Sequence, residues 1–143
     1  PSQPVVAGFG DPREFQDVFF RENPARRLAL LAGLKGPQLN QFAPLAPSML
    51  EKEGHPLVSA AIIKTFGNRW PEKNFKALSG NLGSKSLCLR LAALEVLVQK
   101  VPAELGKSLP KLLVSADPRI RGLAVRGLAA IDMAEALLHL NLV

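Results

Sequence analysis

The chain has no tyrosine, one tryptophan and seven phenylalanines in 143 residues. Its apolar weight falls on Leu, Ala, Val and Ile, which suits small helices packed close together. A lone cysteine, Cys88, excludes an internal disulfide and fits a reducing compartment. No apolar run approaches the roughly 20 residues of a membrane span. The opening PSQPVVAGFG lacks a basic stretch followed by an apolar one, so it does not read as a secretory leader. Together these features point to a cytoplasmic protein. Pro1, where an initiator Met would stand, points to a cut or processed chain.

Sites for chemistry are equally sparse. Two histidines and one cysteine, far apart in the chain, offer no metal-ligand spacing. There is no GxxxxGK[ST] phosphate loop, and Gly80-Asn81-Leu82-Gly83 reads as a turn. Cys88 has no histidine nearby to act as a base and reads as a buried, inert thiol between Leu87 and Leu89. Glu51 and Glu53 read as solvated acids flanking a turn. His55 reads as a surface turn residue, and His139 as the edge of an interface rather than a ligand. Neither a cofactor nor a catalytic residue is indicated, so the chain is not expected to be an enzyme.

What the chain does have is a helix-forming composition and a net charge of +6. The excess over residues 1–35, 36–70, 71–101 and 102–143 is +1, +1, +3 and +1. Basic residues are thus spread out, with a mild concentration in the third segment. A solvated surface accounts for that as well as an anionic partner does.

It also has a repeat. DPRIRGLAVRGLAAID, from Asp117, moved back by 31 residues falls on SLCLRLAALEVL from Ser86, and by 31 more on HPLVSAAIIKTF from His55. A further 32 reaches NPARRLALLAGL from Asn23. The first column is Asn23, His55, Ser86, Asp117, and three of these are strong helix N-caps. The second is Pro24, Pro56, Leu87, Pro118, and proline is favoured at the first helical position because its missing N–H would be unpaired anyway. The eighth is Leu30, Ile62, Ala93, Ala124 and the twelfth Leu34, Phe66, Leu97, Leu128, apolar positions on one helix face. A shorter helical stretch precedes each copy. One starts at Asp11, with Glu14 completing a capping box. The others start at Pro37, Pro71 and Pro102. Pro44, Pro47 and Pro110 fall inside these stretches and are expected to kink or break them.

A helix pair of this size cannot bury its apolar face alone, so neighbouring pairs are expected to stack into one core. The units fall near 11–35, 36–70, 71–101 and 102–132, with a last helix over 133–143 and a loose arm over 1–10. That last helix carries Leu137, Leu138, Leu140, Leu142 and Val143 without a polar cap. It is expected to continue a longer solenoid or to meet a partner, whether another protein or a second copy.

The pattern Asp117-Pro118-Arg119-Ile120-Arg121 with Ala124 and Leu128, and the similar Asn23-Pro24-Ala25-Arg26-Arg27, resembles the HEAT-repeat family. The resemblance is to its short variety of about 31 residues, found in phycobilin-lyase-like proteins. It covers about residues 11 to 143 and departs at Ser59, which replaces an arginine, and at Leu87, which replaces a proline. It implies an all-α, right-handed α-solenoid of HEAT-like helix pairs, four units plus a final helix, whose second helices line the concave face. It is nearly silent on function.

The fifth column holds Arg27, Ser59, Arg90 and Arg121. In one reading each arginine ties a helix end, a carbonyl or an acid of the adjacent unit, a task that five donors suit. In the other they face an acidic partner. A second row, Ala32, Lys64, Glu95 and Arg126, is mixed in sign, which suits a protein partner better than a phosphate backbone. The expected function is protein–protein interaction or scaffolding, with Arg27, Lys64, Arg90, Arg121 and Arg126 at the contact. The alternative is a nucleic-acid-binding solenoid using Arg69, Trp70, Lys73, Lys76 and Lys85, with Trp70 stacking a base. Trp70 packing the turn before Pro71 is the competing view of that residue.

Overall fold

The structure, a computed structural model, describes the backbone of residues 11–141 and the side chains of residues 11–134. The expected arm over 1–10 and the apolar side chains from Leu137 onward, with His139, lie outside the described residues. The chain is all-helical, with no strand among the described residues. No helix there is long and apolar enough to cross a membrane.

Local chemistry sets the helix starts. α1 (Pro12–Arg21) follows Asp11, whose carboxylate accepts from Arg13 N at 2.9 Å. α2 (Pro24–Ala32) follows Asn23, which accepts from Arg26 N at 2.9 Å. His55 Nδ1 accepts from Leu57 N at 3.3 Å ahead of α5 (Pro56–Phe66). Ser86 accepts from Leu89 N at 3.4 Å ahead of α7 (Leu87–Lys100). Asp117 accepts from Arg119 N at 2.8 Å ahead of α9 (Pro118–Asn141). Every cap expected from the repeat therefore satisfies an otherwise unpaired N–H.

Prolines divide the intervening stretches. The segment from Pro37 becomes α3 (Gly36–Phe42) and α4 (Ala46–Lys52), joined by a 3-10 turn through Pro44. Pro47 lies in the first turn of α4, where its missing donor is harmless. The segment from Pro71 becomes a 3-10 turn and α6 (Phe75–Gly80), and that from Pro102 a 3-10 turn and α8 (Leu109–Leu113) with Pro110 at its start. α9, by contrast, is one helix of 24 residues. It passes through Asp132 and Met133, where a boundary between a fourth unit and a last helix is expected. No proline, glycine or cap interrupts it there.

The chain divides into two compact units, Pro1–Asn74 and Phe75–Val143. In the first, α1 packs on α2, α4 on α5, and α2 on α5. Its core is aromatic: Phe15 stacks on Phe42 at 4.8 Å between centroids, beside Phe19, Leu30, Met49, Ile62 and Phe66, all fully buried. In the second, α6 packs on α7, α8 on α9, and α7 on α9. Its core is mainly aliphatic and includes Ala92, Ala93, Leu94, Leu97, Leu105 and Ala124, each at 0% exposure, with Phe75 its buried aromatic among the described residues. Small residues there let helices approach closely. A Cβ placed on Gly127 of α9 would come within 3.0 Å of Leu105 Cδ1.

The eighth repeat column behaves uniformly, since Leu30, Ile62, Ala93 and Ala124 are all 0% exposed. The twelfth does not. Leu34, Phe66 and Leu97 are buried, whereas Leu128 is 39% exposed.

Candidate interaction surface

The fifth-column arginines turn back toward the segment that precedes their own helix. Arg27 Nη1 donates to Glu22 O at 2.6 Å, Arg90 Nη1 to Ser84 O at 2.8 Å, and Arg121 Nη1 to Ser115 O at 2.7 Å and Ala116 O at 3.1 Å. A helix N-cap leaves the carbonyls just before it outside any ladder, and a guanidinium one turn into the helix reaches them. This is the carbonyl-tying arrangement weighed in the sequence. Ser59, which takes the column in the second copy, is 5% exposed.

Arg27 does more. Its Nε and Nη2 donate to Glu53 Oε1 and Oε2 at 2.9 and 2.7 Å, a bidentate pair. Glu53 Oε2 also accepts from His55 N at 3.1 Å. Glu53 is therefore not the solvated acid expected. Its side chain is 1% exposed, because an arginine 26 residues away reaches it through the packing of α2 on α5. Glu51 is exposed, as expected.

Cys88 also departs from expectation. It is exposed, because α7 turns Leu89 inward and leaves its neighbour on the outer side. Trp70 is 3% exposed, and its Nε1 donates to Asn74 O at 3.2 Å. Its ring is consumed by packing and offers no face for a base to stack on. Arg69 Nε donates to Asn40 Oδ1 at 2.6 Å, and Lys73, Lys76 and Lys85 are exposed. The alternative set thus keeps its cations and loses its aromatic platform.

The second row is different. Ala32, Lys64, Glu95 and Arg126 are all exposed, at equivalent places on α2, α5, α7 and α9. None of the three charged members forms an ion pair among the described residues. One electrostatic feature lies at the start of α9. The Arg119 side chain, bonded to Asp117 at 3.1 Å, holds the Asp117 carboxyl below its ordinary value, against an opposing desolvation.

Two features have no signal in the repeat. A cleft of about 290 Å³ in the first unit is lined by Gln16, Asp17, Phe20, Arg21 and Lys52, mixed in charge. On α9, Val125 is 56% and Met133 66% exposed. The repeat partners of Val125 are Leu31, Ile63 and Leu94, and all are buried. Apolarity alone did not separate Val125 from them; only packing does. No group of three His, Cys, Asp or Glu side chains among the described residues is placed to hold a metal ion. Comparison with family models, with curated proteins and with solved structures returns no match.

Proposed function

We propose that this chain is a HEAT-like helical repeat module that docks another protein along the face of its second helices. The observation that carries the reading is that Lys64, Glu95 and Arg126, which share one repeat position on α5, α7 and α9, are each exposed and form no ion pair among the described residues. The regular return of bonded caps supports the repeat on which that row depends. Mixed charge at one repeat position suits the side chains of a protein partner, whereas a phosphate backbone calls for one sign.

In this reading Lys64 and Arg126 make the charged contacts, and the exposed Arg121 adds to them from its turn. Arg27 and Arg90 hold the turns from which the face is built. No chemistry is required of the module, and it acts by presenting a surface.

The test places a photoactivatable residue at Lys64, at Arg126 and, as an exposed control outside the second helices, at Lys107. Crosslinks to the same protein from 64 and 126 and none from 107 are the expected result. Crosslinks to nucleic acid, or equal yields from all three, overturn the reading. Salt gives a second check, because phosphate-driven binding weakens by roughly 10³ or more between about 50 and 200 mM salt.

A further inference from the structure

The cleft in the first unit is lined by one face of α1 and the end of α4. Gln16, Asp17, Phe20 and Arg21 recur one and four residues apart, so they share a face of α1. Lys52, the last residue of α4, adds a third charged side chain to the lining. Asp17, Arg21 and Lys52 are exposed, and none of the three is in an ion pair among the described residues. Asp17 stands four residues before Arg21, the order in which an acid and a base on one helix attract each other best, yet no ion pair joins them.

Phe20 gives the cleft an apolar wall. Its ring is half-buried and meets the fully buried Phe19 edge-on, at 5.0 Å between centroids, which fastens it to the core. At about 290 Å³ the cleft lies at the small end of ligand pockets, which start near roughly 300 Å³. It therefore suits one small molecule and not a nucleotide or a folded partner.

We propose that this cleft binds a free acidic α-amino acid. Two cations and one anion line it, so charge matching calls for one cation and two anions on the ligand. An acidic α-amino acid carries that set at neutral pH. Its ammonium and α-carboxylate sit on one carbon. That separation suits Asp17 and Arg21, whose Cβ atoms on adjacent turns of a helix lie about 6 Å apart. The side-chain carboxylate goes to Lys52, and the methylenes lie on Phe20. A plain dianion, by contrast, meets Asp17 as a like charge, and a neutral amino acid leaves Lys52 unmatched.

The inference stands apart from the docking reading, since it needs no second protein. Sodium L-glutamate, titrated into the intact chain at constant ionic strength, should shift the amide NMR signals around Asp17, Arg21 and Lys52 in a saturable way. Half-saturation should fall in the millimolar range, because exposed charge pairs each contribute little. Asp17→Asn, Arg21→Gln and Lys52→Gln should each weaken binding by about threefold. All three sites are exposed, and circular dichroism confirms that each variant keeps its fold. N-acetylglutamate, which lacks the ammonium, and glutamine, which lacks the second carboxylate, should bind less tightly than glutamate. No saturable shift up to about 100 mM, equal binding of N-acetylglutamate, or a titration unmoved by Asp17→Asn overturns the inference. Failure here with crosslinks intact at 64 and 126 sinks this inference alone. Glutamate binding without such crosslinks sinks only the docking reading.

Discussion

Arg27 and Glu53 form a bidentate ion pair, at 2.9 and 2.7 Å, that fastens α2 to the turn entering α5. The same guanidinium holds Glu22 O, and the same carboxylate holds His55 N. One pair thus ties the end of α1, the start of α2 and the cap of α5. Removing one member leaves the other buried and uncompensated. Glu53→Ala should therefore cost about 3 kcal/mol in chemical denaturation, and Arg27→Ala a similar amount. Arg27→Lys should recover little, because an ammonium cannot make the fork.

Arg90 distinguishes a structural from a contact role. Its bond to Ser84 O joins a charged donor to a backbone carbonyl. Arg90→Ala should lower stability by about 1.5 kcal/mol and leave crosslinking at Lys64 and Arg126 unchanged. Arg126→Ala should do the reverse. Thermal denaturation alongside crosslink yield reads both.

Two glycines of α9 should respond in opposite ways to one added methyl. Nothing lies within 4 Å of a Cβ built on Gly122, so Gly122→Ala should stabilise by about 0.5–1 kcal/mol through helix propensity alone. At Gly127 the Cβ meets Leu105, which is fully buried, at 3.0 Å. Gly127→Ala should lose that gain or become net destabilising, since a packed core resists added volume. Urea midpoints of the two variants test the contrast.

Trp70 is the only tryptophan, which makes it a clean reporter. Its fluorescence should be that of a shielded indole, resistant to iodide and unmoved by single-stranded oligonucleotides. Ready quenching by either would contradict its burial and its bond to Asn74 O.

Asp117 should give α9 a pH-dependent start. Its bond from Arg119 lowers the folded-state pKa below the ordinary aspartate value. The unfolded chain therefore takes up the proton first as pH falls. The stabilisation is fully present above the ordinary value and is lost as pH drops through the lowered one. Asp117→Asn keeps a capping oxygen and removes the titration. The melting temperatures of the two proteins should therefore converge on acidification through that window, the difference between them reporting this one group.

The sequence by itself determined where the capped helices begin and where prolines interrupt them, though not that α9 runs unbroken past Asp132. Asn23, His55, Ser86 and Asp117 cap because a short polar side chain needs only its own next residues to find an unpaired N–H. Pro44, Pro47 and Pro110 act through a fixed φ and a missing donor, which are equally local. The eighth column was legible because a buried stripe on a helix must repeat along the chain. Only the tertiary structure decided which acid meets Arg27, that Trp70 faces inward and Cys88 outward, and that Val125 and Leu128 are open where their repeat partners are closed. The physical reason is the same in each case. Those outcomes depend on residues tens of positions away that packing alone brings near, and a leucine or valine carries no local mark of whether a neighbour will cover it.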